Sequence, residues 1–168
     1  MNKPFVAILM GSDSDLPVMQ STMGVLQALE VPFEVRITSA HRTPAVTHAF
    51  VKDADERGCC VFIAAAGLAA HLAGTVAGLT LKPVIGIPLE AGPLQGMDSL
   101  LSTVQMPAGI PVATVAIGKT GAKNAAYLAA QVLALSDSEL AARIQKERAA
   151  NAEGVISKDA KLQAELNS

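Results

Sequence analysis

FEVRITSAHRTPAVTHAFVKDADERGCCVFIAAA, residues 33–66, decides the fold. It opens on an apolar run over 33–38 and passes through the polar turn Ser39-Ala40-His41-Arg42-Thr43-Pro44. A helical pattern follows over 44–57, then a second apolar run over 59–65. Thr43 is placed as an N-cap and Pro44 as the first helical residue, where a missing N–H costs nothing. Both flanking runs read as continuous apolar stretches, the pattern of strands covered on two faces. The unit is therefore strand, helix, strand, and in an open parallel sheet its turn lies at the carboxyl ends of the strands, where ligands bind.

The same alternation extends to both sides. Further strands are expected at 5–10, 83–88 and 111–117, and further helices at 16–29, 69–79, 97–105 and 122–135. Repeated strand–helix alternation specifies an α/β, doubly wound, flavodoxin-like parallel sheet with helices on both faces. No linker, low-complexity tract or internal repeat interrupts it. The expectation is a single α/β domain over 1–168, with a core over 1–135 and a charged helical extension over 136–168. Helix 122–135 (AKNAAYLAAQVLAL) has almost no polar face, and 69–79 is built largely from Ala, Gly, Leu and Thr. Helices apolar nearly all round must be buried on every side. Neighbouring subunits are the preferred cover, and an Ala-rich core within the chain is the alternative.

Composition narrows the class. A 168-residue chain buries roughly two-thirds of its unfolded surface on folding. Hydrophobic residues make up 51% and charged residues 17%, with a net charge of −2. That balance offers no basic footprint for nucleic acid. The apolar runs are broken by Gly, Pro or charge before reaching the roughly 20 residues of a membrane span. Met1-Asn2-Lys3-Pro4 leads directly into a strand and lacks the layout of a signal peptide. Adjacent Cys59 and Cys60 cannot readily pair with each other and read as small core residues in a reducing compartment. A cytoplasmic globular protein is expected.

Three strand-to-helix turns carry the polar chemistry. Gly11-Ser12-Asp13-Ser14-Asp15 combines a close-approach glycine with hydroxyls and carboxylates ahead of a helix N-terminus, which suits an anion with a ribose attached. Helix capping by Ser or Asp is the competing account. The second turn brings a hydroxyl (Ser39), an imidazole (His41) and a guanidinium (Arg42) together, suiting an anionic substrate and a proton transfer. His41 taken alone fits a loop histidine equally well. The third turn, Ala66-Gly67-Leu68-Ala69-Ala70-His71-Leu72, places His71 at a small, apolar helix start, where a histidine is more often structural.

Other uses of such a fold lack their residues. A phosphorelay receiver needs an aspartate at the end of the third strand, where this chain has Ala65 and Ala66. Flavin sites usually stack the ring on aromatics, but Trp is absent and Tyr127 is the only Tyr. His41, His48 and His71 do not fall at a recognised metal-ligand spacing, so no metal is expected. Neither a nucleophile elbow nor a phosphate-loop lysine motif occurs.

Taken together, GSDSD (11–15), SAHRTP (39–44), AGLAAHLAG (66–74) and GMDSLLSTVQMPAGIPVATVAIG (96–118) resemble the N5-carboxyaminoimidazole ribonucleotide mutase family of bacterial purine biosynthesis. The likeness runs from about Val6 to Ala134, in the family's motif order. It implies an isomerase that moves a carboxylate from the exocyclic nitrogen of an aminoimidazole ribonucleotide to carbon 4, without metal, cofactor or ATP. By motif position it implies that Ser12, Ser14, Asp15, Ser39 and Arg42 hold ribose and phosphate. His41 would be the general acid and base. Backbone groups of Ala66, Gly67 and Leu68, with His71 and Leu72, would enclose the carboxylate and the transient carbon dioxide. It further implies a homo-octamer whose C-terminal helix reaches a neighbouring subunit.

The chain departs from the family's usual third motif at two positions, with Leu68 in place of glycine and Ala73 in place of proline. The nearest rival is the related carboxylase, which uses carbon dioxide directly. It typically has lysine at position 42 and serine-asparagine chemistry in place of the Ala-Ala-His run, so Arg42 and His71 favour the mutase. A non-catalytic nucleotide-binding protein of the same fold is the alternative from a different class.

Overall fold

A computed structural model describes residues 4–167; Met1 to Lys3 of the leading segment and Ser168 lie outside the described residues. The strands are β1 (Phe5–Met10), β2 (Phe33–Ile37), β3 (Cys59–Gly67), β4 (Val84–Leu89) and β5 (Ala113–Thr114). The helices are α1 (Leu16–Ala28), α2 (Pro44–Glu56), α3 (Leu72–Ala77), α4 (Met97–Val104), α5 (Gly118–Ala134) and α6 (Ser138–Leu166). All pairings are parallel, in the order β2-β1-β3-β4-β5. This is the flavodoxin-like order, with its switch point between β1 and β3.

The strand period of two divides the core into two layers. Val6, Ile8 and Met10 of β1 and Val61, Ile63 and Ala65 of β3 face α1 and α5. Phe5, Ala7, Leu9, Phe62 and Ala64 face α2 and α3. Every residue of β1 is buried, which accounts for its continuous apolar run. β2 departs from that reading. Its sequence, FEVRI, alternates because it is an edge strand, with Phe33 and Val35 packed on the core and Arg36 and Ile37 exposed. Arg57, just past α2, ties that edge down. It donates to both carboxylate oxygens of Glu34 at 2.5 and 2.8 Å and to Asp53 at 2.8 Å.

Three elements are shorter or differently covered than the sequence pattern indicates. β5 pairs only Ala113 and Thr114 with Ile85 and Gly86, because Pro111 has no N–H to offer and the chain soon turns into α5. α3 begins at Leu72 rather than 69: the chain bends through Leu68, at φ 55°, and Ala69, and His71 is the N-cap. α5 buries a stripe of Gly121, Ala122, Ala125, Ala126, Ala129 and Ala130 within the chain itself. The stripe packs on the sheet and on α1, whose Thr22 hydroxyl donates to the Ala122 carbonyl at 2.8 Å. The alanines of this helix therefore serve a close in-chain contact and do not call for a neighbouring subunit.

α6 leaves the core by degrees. Asp137 caps it, accepting from the Leu140 N–H at 2.9 Å, and Leu140 and Ile144 are buried against the α5 layer. Arg143 donates to the Leu29 carbonyl, and the Tyr127 hydroxyl donates to Glu147 at 2.5 Å. From residue 148 to 167 every position is exposed. Among the described residues no helix is long and apolar enough to cross a membrane.

Candidate active site

The loops that follow β1, β2, β3 and β4 enclose a cavity of about 460 Å³ at the carboxyl edge of the sheet. Its lining includes every residue to which the family resemblance assigns a role: Ser12, Ser14 and Asp15; Ser39, His41 and Arg42; Ala66, Gly67, Leu68, His71 and Leu72. It lies at the switch point, because β2 and β3 flank β1 and their loops reach toward each other over its end. Gly11, Ala40, Ala69 and Ala91 complete the wall. Ala91 is the contribution the sequence reading missed; the Glu90-Ala91-Gly92 turn directly after β4 was its only signal. His48 lies exposed on α2 and does not line the cavity.

The first turn is built as a helix cap and also forms a polar wall. Ser12 caps a 3₁₀ turn at Asp13–Asp15, and its N–H donates to Asp15 Oδ2 at 3.0 Å, closing a capping box. The Ser14 hydroxyl donates to Ser12 Oγ at 3.0 Å. The residues that cap the helix also line the cavity. Burial pushes the Asp15 carboxyl above its ordinary range, although N–H groups of Ser12 and Gly11 pull the other way.

The second turn rests on hydroxyls that the sequence reading did not single out. Thr38 and Thr47 are buried and lie 2.7 Å apart through their Oγ1 atoms. Thr43 occupies the N-cap position of α2, but its side chain does not cap the helix. Instead it accepts from the Ser39 N–H at 2.9 Å. Ser39 Oγ in turn accepts from the Arg42 N–H at 3.1 Å. The Arg42 guanidinium crosses to the first turn and donates to the Gly11 carbonyl at 2.9 Å. One arm of the fork therefore braces two loops, and among the described residues no carboxylate pairs with it.

His41 meets His71 across the end of β1. His41 Nε2 lies 2.7 Å from His71 Nδ1, with the rings edge-on at 81° and centroids 4.9 Å apart. One ring must donate and the other accept, so the contact couples the tautomers of the two imidazoles. His71 is the N-cap residue of α3 and makes no side-chain capping bond. Its sequence position at a helix start is explained by this partner. Leu68, three residues earlier, takes the left-handed conformation at φ 55°, which costs a side-chain-bearing residue roughly 1–2 kcal/mol. Ala73 continues α3 and is buried against β4, without disturbing the helix start. Among the described residues, no group of three or more His, Cys, Asp or Glu is placed to hold a metal ion.

Fold and site together define a doubly wound α/β protein with a paired-histidine pocket at its switch point. Residues 5–154 match the model of the AIR carboxylase family, and the chain belongs to that family. It is 54% identical to the N5-carboxyaminoimidazole ribonucleotide mutase of Pyrococcus abyssi, covering 86% of this chain and 82% of the relative. It is 52% identical to the mutase of Mycobacterium tuberculosis strain H37Rv, covering 96% and 91%. To that of Escherichia coli K12 it is 51% identical, covering 92% of each. Among solved structures, Treponema denticola PurE superposes with a TM-score of 0.86 at 33% identity, over 95% of this chain and 99% of that one.

Proposed function

We infer that this chain is an isomerase of purine biosynthesis, interconverting N5-carboxyaminoimidazole ribonucleotide and 4-carboxy-5-aminoimidazole ribonucleotide. The observation that carries the reading is the His41–His71 pair, set between an apolar alanine-lined wall and a hydroxyl–carboxylate–guanidinium wall in one cavity. The relatives at 51–54% identity, all named mutases, support it.

The chemistry divides along those walls. Arg42 offers the unpaired part of its fork to the phosphate, while Ser12, Ser14, Asp15 and Ser39 hold phosphate and ribose. Binding energy from that remote end holds the imidazole ring against His41. His41 delivers a proton to the exocyclic nitrogen as its bond to the carboxylate breaks and carbon dioxide forms. Carbon 4 then attacks the trapped gas, and His41 removes the carbon 4 proton, returning to its starting state. Ala66, Gly67, Leu68, His71 and Leu72 enclose the carboxylate end and keep water out. His71 orients the His41 ring and sets which nitrogen carries the hydrogen. The cycle consumes no co-reactant and requires no metal or cofactor.

The supporting arrangement extends beyond one chain. We propose a single α/β domain with its core over 1–135 and a tail over 136–168, assembled as a homo-octamer in the cytoplasm. Val155, Ile156, Leu162 and Leu166 stand exposed on the outer part of α6, and a neighbouring subunit is the cover proposed for them. No nucleic acid or membrane partner is proposed.

His41→Asn tests the mechanism. Shape and hydrogen bonding survive while the proton carrier is lost, so turnover should fall by about 10²–10⁴-fold with nucleotide affinity retained. Near-normal turnover in that variant would remove His41 from the proton transfers.

A further inference from the structure

We propose that Leu68 is a positioning residue for this reaction: an apolar lid, carried on the loop after β3 and seated on the loop after β4, that retains carbon dioxide between its release and its recapture. The inference rests on the mutase reading above and concerns the side chain at which the third motif departs from the family's usual glycine.

Three observations place it. Leu68 lines the cavity yet is 53% exposed, so it stands at the mouth rather than in the core. Its φ of 55° is a conformation that glycine adopts freely and leucine adopts at a cost. A side chain held there against backbone preference points to a use for the side chain itself. The third observation is how the loops fit. A β-carbon added to Gly92 would lie 3.0 Å from Leu68 Cδ2, and one added to Gly67 would lie 2.8 Å from the Ala91 β-carbon. Each loop thus lacks a side chain where the other presents one, and Leu68 reaches onto the hollow left at Gly92.

The lid sits at the chemically fitting end. Ala66, Ala69 and Ala91 are its neighbours on the cavity wall, and the charged and hydroxyl-bearing groups belong to the turns after β1 and β2. Carbon dioxide is small, uncharged and weakly held by polar groups, so its retention depends on closing exits. In the sequence of steps, the carbon–nitrogen bond breaks, the nitrogen gains a proton from His41, and free carbon dioxide exists until the bond to carbon 4 forms. Escape during that interval leaves the uncarboxylated nucleotide as an abortive product.

The test measures partitioning rather than rate alone. Wild type, Leu68→Gly, Leu68→Ala and Leu68→Met are each supplied with N5-carboxyaminoimidazole ribonucleotide in the presence of labelled bicarbonate and carbonic anhydrase. The readouts are label in the product, release of uncarboxylated nucleotide, KM and melting temperature. The expected result is a several-fold rise in abortive release and label incorporation in the Gly and Ala variants. Their KM should hold, the Gly variant should melt no lower than wild type, and Met should restore retention. Retention equal to wild type in both small variants would overturn the lid. So would leakage in Gly alone, which would assign the effect to backbone freedom. A wild type unable to convert the carbamate would instead overturn the mutase reading, and this inference with it.

Discussion

Asp15 shows how one residue serves the fold and the site at once. Its carboxylate closes the capping box ahead of α1 and lines the cavity, and burial raises its pKa. A raised folded-state pKa means that the ionised form is penalised by folding, so the penalty is full at neutral pH. It disappears as pH falls below the ordinary aspartate range, where both states are protonated. Asp15→Asn keeps an acceptor for the Ser12 N–H and removes the charge. Because the group is only half-buried and partly screened, the variant should melt about 1–2 °C higher at pH 7. The gain should vanish near pH 3, while substrate affinity at pH 7 drops. Thermal melts at the two pH values and a binding titration check this, and a variant less stable at pH 7 would contradict the assigned cause. The polar residues of the site were legible in the sequence because turns after strands are short and local. The His41–His71 contact was not. The two residues come from β2 and β3, which do not pair with each other but flank β1, and only the strand order reveals that their loops meet.

At the level of elements, sequence pattern located every strand and helix but misjudged what some of them touch. An all-apolar helix signals burial without saying by what. In α5 the answer is α1, the sheet and the start of α6, admitted closely by the alanine stripe. Such a contact tolerates no added volume. Ala126 is fully buried, and Ala126→Leu should destabilise by about 1–3 kcal/mol through overpacking. This would be read as a lower denaturation midpoint with unchanged slope. A neutral outcome would show that α1 and α5 are less tightly apposed than described. The limits of α3 and β5 were illegible for a different reason. A bend through Leu68 and Ala69 precedes one helix, and an edge position shortens the other strand. Neither effect is encoded in hydrophobic periodicity.

For the whole molecule, α6 is the element that a single chain leaves unfinished. Its first turns are capped and packed, whereas residues 148–167 are exposed throughout and carry Val155, Ile156, Leu162 and Leu166. A helix without a covered face gains little from tertiary packing. If a second copy covers it, a chain ending at residue 148 should keep the core fold by circular dichroism but sediment as a smaller assembly than the full chain. Unchanged assembly would place the subunit contacts elsewhere. Oligomeric state was never decided by α5, whose alanines are spent within the chain. The outer α6 residues are the better guide, and their exposure emerges only once the core is closed.

Which nucleotide the enzyme accepts decides between carboxylate transfer and carboxylation. Purified protein should be given N5-carboxyaminoimidazole ribonucleotide without added bicarbonate, and separately the uncarboxylated aminoimidazole ribonucleotide with excess bicarbonate. Rapid formation of 4-carboxy-5-aminoimidazole ribonucleotide from the first alone is the predicted result. Efficient product formation from the second, with the first left unconverted, would make the protein a carboxylase and contradict the carboxylate-transfer mechanism built on His41, His71 and Arg42.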